Sequence, residues 1–233
     1  MHSIYYAVLA LALMPLLAAQ PARAQNDPTI HMVTYIDVAP AAKDQAAALL
    51  KPLAEASRKD AGNLLFQILQ RTAPAHQFVI LATWKDQQAL DAHDAAAHSK
   101  QFRGQVEPHL IAPIDDRLCV PTFVAAQISR QVLARLGDSS VYVVTHVDVP
   151  GNVRDKILPA LEALAEQSRK EAGNLRFDVS YQKTRTNHFT VMENWKDQAA
   201  NDTHELAAHT RAFRGMLTPI TGALYDQRWY KSM

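Results

Sequence analysis

The chain has 233 residues, of which 48% are hydrophobic and 20% are charged, as in a globular protein with one large core or two small ones. This composition excludes an intrinsically disordered chain. Its 24 lysines and arginines almost balance 23 aspartates and glutamates, which leaves a formal charge of +1. So small a net charge creates no long-range field for a polyanion, and we expect no nucleic-acid partner.

The first 24 residues have the features of a secretory signal peptide. An apolar run from Ile4 to Ala19 is followed by Ala22-Arg23-Ala24, the small-x-small pattern of a cleavage site. We therefore expect cleavage after Ala24 and a mature protein in the periplasm or the medium, without a membrane partner. An uncleaved N-terminal anchor is the alternative, because Met1-His2-Ser3 carries little positive charge, although the apolar run is short for a spanning helix.

The rest of the chain is an internal duplication. A shift of 111 residues aligns positions 33–118 with positions 144–229 without a gap, at about 35 identities. We therefore predict a first domain over 30–120, a linker over 121–140 and a second domain over 141–233. The middle of the linker, from Phe123 to Leu136, is a candidate helix.

The second repeat shows the order of elements within one unit. Pro150-Gly151-Asn152 ends a β-branched strand, Gly173-Asn174 ends the helix that follows, and Asp197 is a candidate cap for a second helix. The predicted strands are Val141–Val149, Leu175–Tyr181, Phe189–Trp195 and about Ala223–Tyr230. The predicted helices are Val153–Lys170 and the segment after Asp197 to about Met216, so the order is strand, helix, strand, strand, helix and strand. This order is that of the ferredoxin-like α+β fold, in which helices cover one face of an antiparallel sheet.

The other face of that sheet must also be covered. Val191 and Trp195 alternate with Met192, so this strand is apolar on both sides. We expect the two repeats to pack sheet against sheet as an intramolecular pseudo-dimeric α+β barrel with a cavity between them. Pairing of two whole chains into a homodimer stays open. Cys119, the single cysteine, is a predicted strand residue, with a free reactive thiol as the alternative.

Several short motifs resemble one known family. Glu171-Ala172-Gly173-Asn174-Leu175, Glu193-Asn194-Trp195, Asp197-Gln198 and the later His204 are similar to motifs of the antibiotic biosynthesis monooxygenase domain, a member of the dimeric α+β barrel superfamily. The resemblance covers nearly all of both repeats. It implies the fold more firmly than the chemistry, and an oxidoreductase activity is the expectation. The family includes cofactor-free quinol or anthrone monooxygenases, haem-degrading enzymes and proteins without known activity.

The resemblance also implies a site. A tryptophan at the position of Trp195 and Trp84 lines the family's pocket, which would lie between the sheets. Without a cofactor, a base would remove a phenolic proton and the resulting carbanion would reduce O₂. We expect His146 or Glu193 to be that base. The candidate substrate-binding residues are Trp195, Trp84, Tyr35, Asn194 and Val191, and the candidate catalytic residues are His146, Glu193 and His204.

Each of these residues also has a structural interpretation. Glu193 and His204 would form a buried polar pair that joins sheet to helix, because a buried acid needs a partner. Trp195 would be a core residue, and His146 a structural strand residue. The first repeat has Ala82 and Thr83 where the second has Glu193 and Asn194. If catalysis requires this acid, only the second repeat can be catalytic.

We expect no metal site and no cofactor. His204 and His209 are five residues apart, a spacing that places two side chains on different sides of a continuous helix. Three functions remain: a cofactor-free monooxygenase of a small quinol-like aromatic with O₂, a non-catalytic ligand-binding or stress-related barrel, and a haem-handling protein. The last is the least favoured, because the haem-ligand histidine of that branch aligns with Arg214 and Arg103.

Overall fold

The computed structural model describes residues 28–123 and 139–233, so the predicted signal peptide and almost all of the candidate linker helix lie outside the described residues. The first repeat consists of β1 (Ile30–Asp37), α1 (Lys43–Ser57), β2 (Asn63–Arg71), β3 (Gln77–Trp84), α2 (Gln87–Ala95), α3 (Ala97–Val106) and β4 (Asp115–Phe123). The second repeat consists of β5 (Val141–Asp148), α4 (Arg154–Ser168), β6 (Asn174–Gln182), β7 (Arg185–Trp195), α5 (Gln198–Leu206), α6 (Ala208–Leu217) and β8 (Leu224–Ser232).

The eight strands form one closed antiparallel barrel in the order β1-β3-β2-β8-β5-β7-β6-β4. The last strand of each repeat joins the two halves. β4 pairs first with β1 of its own repeat and then with β6, from Cys119 opposite Gln182 onward. β8 pairs with β5 and then with β2, where Tyr230 lies opposite Arg71. The predicted tandem α+β barrel is therefore confirmed, with the two sheets also joined along their edges.

Side chains from both repeats point into the interior of the barrel. Alternate residues of the strands point inward, and every strand except β6 contributes to an apolar cluster of Val33, Leu69, Val79, Leu81, Cys119, Tyr142, Val144, Met192 and Tyr230. This cluster covers the sheet face that lies opposite the helices. Cys119 is a buried strand residue, and burial raises the pKa of its thiol to about 11, so its reactive thiolate is scarce at neutral pH.

The outer faces of the strands pack against the helices. In the first repeat this core includes Leu50, Leu53, Phe66, Phe78, Trp84 and Phe102. In the second repeat it includes Leu161, Phe177, Phe189, Val191, Trp195 and Phe213. The expectation that Val191 and Trp195 face a cavity between the sheets is therefore wrong, because the residues that face inward from β7 are the alternate ones, such as Met192.

The helix predicted from Asp197 to Met216 is two helices. Asp197 does cap the first of them, since its carboxylate accepts a hydrogen bond from the backbone nitrogen of Ala200 at 2.8 Å. Ala207 then adopts an extended conformation (φ −62°, ψ 146°) that separates α5 from α6. Ala96 repeats this break between α2 and α3 (φ −65°, ψ 147°). No proline or glycine marks either break.

In each repeat, a glycine in the turn after the long helix allows that turn to pack closely against the helix that follows β3 or β7. Gly62 and Gly173 have φ values of +82° and +91°, which favour glycine. A Cβ atom on Gly62 would lie 2.6 Å from the Cβ of Ala89, and one on Gly173 would lie 2.8 Å from the Cβ of Ala200. These turns therefore lie directly beside α2 and α5. Within residues 28–123 and 139–233, no helix is long and apolar enough to cross a membrane.

Candidate functional site

A pocket opens between the sheet and the helices of the first repeat. It contains about 470 Å³ of empty space, including the part open to solvent. Its walls are largely apolar and aromatic, formed by Met32, Leu53, Phe66, Ile80, Ala82, Trp84, Leu90, Phe102 and Ile114. The polar groups that line it are Thr34, His93, Asp94, Ser99, Arg103 and Asp116. Apolar and aromatic walls with a few polar groups are the lining typical of a pocket for a flat apolar ligand.

The polar groups of the pocket differ in how they are held. Asp116 accepts a hydrogen bond from Thr34 Oγ1 at 2.7 Å and pairs with Arg103 Nη2 at 3.0 Å. The carboxylate of Asp94 has no hydrogen-bond partner within the described residues, and burial raises its pKa. His93 packs against Trp84 at an angle of 31° between the rings, with 4.5 Å between ring centroids. Asp94 is therefore the carboxylate that is available to a ligand.

The corresponding position in the second repeat is filled. Glu193 and Tyr225 replace Ala82 and Ile114 there. Arg214 Nη2 contacts Glu205 at 2.6 Å and the side-chain oxygen of Gln227 at 3.2 Å, and its guanidinium lies 5.0 Å from the centre of the Tyr225 ring. The amide of Gln227 closes the network by donating to Glu205 at 2.7 Å. Larger side chains and their own polar network thus occupy the space that is open in the first repeat.

Glu193 lies buried within this arrangement, between sheet and helices. Its Oε2 accepts a hydrogen bond from Trp195 Nε1 at 3.0 Å and lies 3.6 Å from His204 Nε2. Burial raises the pKa of Glu193 to about 8, and burial also lowers the pKa of His204. The structure therefore contains the buried polar pair that was the structural interpretation. Glu193 does not face a space between the sheets, contrary to expectation, because it shares the outer face of β7 with Trp195.

The other predicted site residues point into the barrel. His146 and Tyr35 make an edge-on ring contact with 5.2 Å between centroids. His146 Nδ1 lies 3.4 Å from Arg117 Nη1 and 3.3 Å from His188 Nε2, and burial lowers the pKa of His146 to about 3. Asn194 donates to the carbonyl of Val141 at 3.1 Å. The structure therefore splits the predicted set: Tyr35, His146 and Asn194 on the inner face, and Trp84, Val191, Glu193, Trp195 and His204 on the helix side.

Two histidines and a carboxylate meet in each repeat. His204 Nδ1 and His209 Nε2 lie 2.7 and 2.8 Å from Glu171 Oε1. The matching atoms of His93 and His98 lie 2.8 and 3.0 Å from Asp60 Oδ2. The expectation that this spacing separates the two histidines is wrong, because the break between the two helices turns the second histidine back toward the first.

Comparison with known proteins follows the duplication. The family model for antibiotic biosynthesis monooxygenase matches residues 29–105 and 140–215. The chain belongs to the antibiotic biosynthesis monooxygenase family. The resemblance of both repeats to this family is therefore confirmed, and the family places the chain among monooxygenase-type proteins.

Relatives of the family agree with this assignment. The "Putative monooxygenase YcnE" of Bacillus subtilis is 29% identical over 86 residues, which cover 37% of this chain and 90% of that protein. A solved structure of a "Putative monooxygenase" from Fusobacterium nucleatum superposes with a TM-score of 0.74 at 14% identity, covering 89% of this chain and 93% of that one. One from Lactobacillus acidophilus gives a TM-score of 0.69 at 15% identity, covering 88% and 94%. At these identities the solved structures show a shared fold alone.

Sequence reasoning missed the polar residues of the pocket in this family member. Asp94, Arg103 and Asp116 belong to no recognisable motif. Arg103 was noted only because it aligns with the haem-ligand histidine of the haem-degrading branch. The usable signal was the difference between the repeats, because a small residue in one copy opposite a large one in the other indicates where space opens. Ala82 opposite Glu193 is such a pair. The exchange of Glu193 for Ala82 removes an acid from the first repeat and also provides space there.

Proposed function

We propose that this family member is a cofactor-free monooxygenase that acts on a small quinol-like or polycyclic aromatic substrate, and that the first-repeat pocket is its active site. The observation that carries the proposal is the combination in one pocket of aromatic walls and the unpartnered carboxylate of Asp94. Membership of the monooxygenase family supports the class of reaction. His146, Glu193 and His204, the bases and acids first predicted, lie outside the residues that line this pocket.

The walls account for binding of a flat substrate. Trp84, Phe66 and Phe102 offer aromatic surface, and Ala82 leaves room where the second repeat has Glu193. Arg103 places a guanidinium on the polar side of the pocket. A phenolate oxygen directed toward Arg103 would be stabilised there, and the same positive charge would lower the free energy of a developing anion.

The chemistry then needs only a base and O₂. Asp94 takes a proton from the acidic C–H or O–H of the substrate, and the resulting anion passes electrons to O₂. A C–O bond forms and gives a hydroperoxide, which receives the proton back from Asp94. Loss of water leaves a carbonyl, so one oxygen atom enters the product, the other leaves as water, and the substrate is the only reductant. Burial raises the pKa of Asp94, which makes its carboxylate a stronger base than an ordinary aspartate.

Oxygen consumption tests this proposal. With EDTA-treated protein and menadiol or an anthrone as substrate, we expect O₂ uptake, and we expect Asp94→Asn to lower kcat by about 10²- to 10⁴-fold, as for loss of a general base. Asp91→Asn is the matched control, because Asp91 lies on the same helix and is exposed. An unchanged kcat in Asp94→Asn would refute the assignment. Loss of activity in Glu193→Gln alone would instead place the active site in the second repeat, and stabilisation by the substrate without O₂ uptake would indicate binding only.

We also propose that the protein is exported and cleaved after Ala24, on the pattern Ala22-Arg23-Ala24. The mature chain is then expected to begin at Gln25, which N-terminal sequencing and intact mass of the secreted or periplasmic protein would show. Ala24→Leu places a bulky side chain at the cleavage site and should leave the precursor uncut. Recovery of the full-length mass from the native protein would contradict the proposal.

A further inference from the structure

The two clusters of histidine and carboxylate have the composition of metal sites. We name them the Asp60 cluster (Asp60, His93 and His98) and the Glu171 cluster (Glu171, His204 and His209). In each cluster one carboxylate oxygen and two imidazole nitrogens all lie within 4.8 Å of one another. Two histidines with one carboxylate form a common ligand set for Zn²⁺ and for other divalent transition metals.

The chain builds the same geometry twice, once in each repeat. Each carboxylate follows the long helix of its repeat, in the turn that Gly62 or Gly173 holds against the next helix. Each histidine pair straddles the helix break at Ala96 or Ala207. The carboxylate is an aspartate in one copy and a glutamate in the other, yet its oxygen reaches the same position between the two rings.

The distances require little adjustment to admit a metal ion. A tetrahedral Zn²⁺ with ligands at about 2.0–2.2 Å separates neighbouring ligand atoms by roughly 3.3 Å. The N···O distances in the two clusters are 2.7 to 3.0 Å, so they would open by about half an ångström. The outer histidines, His98 and His209, are 25% and 27% exposed. Solvent can therefore deliver the ion and supply a fourth ligand.

The second shell differs between the clusters. A histidine that binds a metal through one ring nitrogen usually turns the other toward a carboxylate or carbonyl, which orients the ring and strengthens binding. His204 has this arrangement, with Nδ1 toward Glu171 and Nε2 3.6 Å from Glu193 Oε2. His93 has Ala82 where the second repeat has Glu193. The Glu171 cluster is thus better prepared for a metal than the Asp60 cluster.

We infer that both clusters bind a divalent transition metal of the Zn²⁺ class, and that the Glu171 cluster binds it more tightly. A bound ion would link the turn after the long helix to both short helices of its repeat. In the first repeat it would also fix His93, whose ring packs on Trp84 in the wall of the pocket. This inference is independent of the proposed monooxygenase activity, because it concerns binding and not turnover.

Metal titration of the full mature chain tests the inference. After EDTA treatment and dialysis, Zn²⁺ titrated by calorimetry at pH 7.5 should bind at two ions per chain, and Co²⁺ should give the visible absorption of a bound ion. His209→Ala should remove the tighter site and His98→Ala the weaker one. Both are the more exposed histidines of their clusters, so these variants should still fold, which circular dichroism without metal would verify. His109→Ala, outside both clusters, is the control and should keep both sites.

A second variant separates metal binding from a merely hydrogen-bonded cluster. Glu193→Ala, which gives this position the residue of the first repeat (Ala82) and removes the acceptor oxygen, should weaken the Glu171 site by about 10- to 100-fold and leave the Asp60 site unchanged. A single bound ion that His209→Ala removes would support the Glu171 site and overturn the Asp60 site. Binding that survives in the double variant His98→Ala/His209→Ala, or no Co²⁺ absorption and no heat with Zn²⁺ in the native protein, would overturn the inference for both clusters.

Discussion

The native protein is expected to become less stable as the pH rises from about 4.5 to about 8, and the substitution Glu193→Gln is expected to abolish this loss. Burial raises the pKa of Glu193 from 4.5 to about 8 in the folded protein. Between these values the unfolded chain releases the proton of this carboxyl while the folded chain retains it. The folded state then binds more protons than the unfolded state, so the free energy of unfolding falls as the pH rises.

The size of this effect follows from the shift in pKa. The contribution of Glu193 is fully present below pH 4.5, falls by about 1.4 kcal/mol for each pH unit above it, and is lost as the pH passes 8. The total is on the order of 4–5 kcal/mol, an upper value, since local opening would relieve part of it. A glutamine keeps the size and can still accept the hydrogen bond from Trp195, but it cannot ionise.

Urea unfolding in EDTA-containing buffers between pH 4.5 and pH 9 measures this directly. Native protein and Glu193→Gln should have similar free energies of unfolding near pH 4.5 and should separate steadily above it, with the variant more stable. Glu166→Gln is the control, because the Glu166 side chain is 61% exposed and should follow the native curve. Parallel curves for Glu193→Gln and native protein would show that Glu193 is already ionised in the folded protein.

The substitution Asp178→Gln is expected to destabilise the protein by about 3–5 kcal/mol, as for other buried ion pairs that lose one partner. Asp178 lies inside the barrel, 1% exposed, and contacts Arg176 Nε at 2.6 Å and Arg169 Nη2 at 3.1 Å. Arg176 is itself buried, so the substitution leaves its positive charge without its carboxylate. Denaturant unfolding at pH 7 gives the difference.

The first repeat provides the matched rescue for this variant. Leu65 and Gln67 stand where the second repeat has Arg176 and Asp178. The double variant Arg176→Leu/Asp178→Gln should therefore recover most of the lost stability, because it replaces the ion pair with the pair of side chains that the duplicated strand already uses. A double variant no more stable than Asp178→Gln would contradict this account. Asp155→Asn, which alters a carboxylate that is 90% exposed, should change little.

Much of the fold was predictable from the sequence, because the duplication shows each element twice. Strand boundaries in the second repeat were predicted to within a few residues, and the turn glycines Gly62 and Gly173 marked the ends of the long helices. The closed barrel followed from one physical requirement, that the face of each sheet opposite its helices must be covered. The pairing of β4 and β8 with strands of the other repeat, which joins the two sheets along their edges, was not predicted. The sequence of a strand does not determine which strand pairs with its second edge.

The candidate site was predicted less well, for two physical reasons. On β7 both faces are apolar, so alternation shows that Val191 and Met192 point in opposite directions but not which of them faces the helices. The breaks at Ala96 and Ala207 carry no helix-breaking residue, so a five-residue histidine spacing was interpreted on one continuous helix. Both errors concern tertiary packing, which decides orientation where local sequence does not.

Closure of the barrel limits how two copies of this protein can associate. Each of the eight described strands has a hydrogen-bonded neighbour on both sides. An open sheet presents unpaired backbone amides at its margin, where a strand from another molecule can add and begin a growing assembly. Here each repeat supplies that strand to the other within a single polypeptide. Association of two chains by strand addition would therefore first require one of these pairings to open, for example by release of β4 or β8.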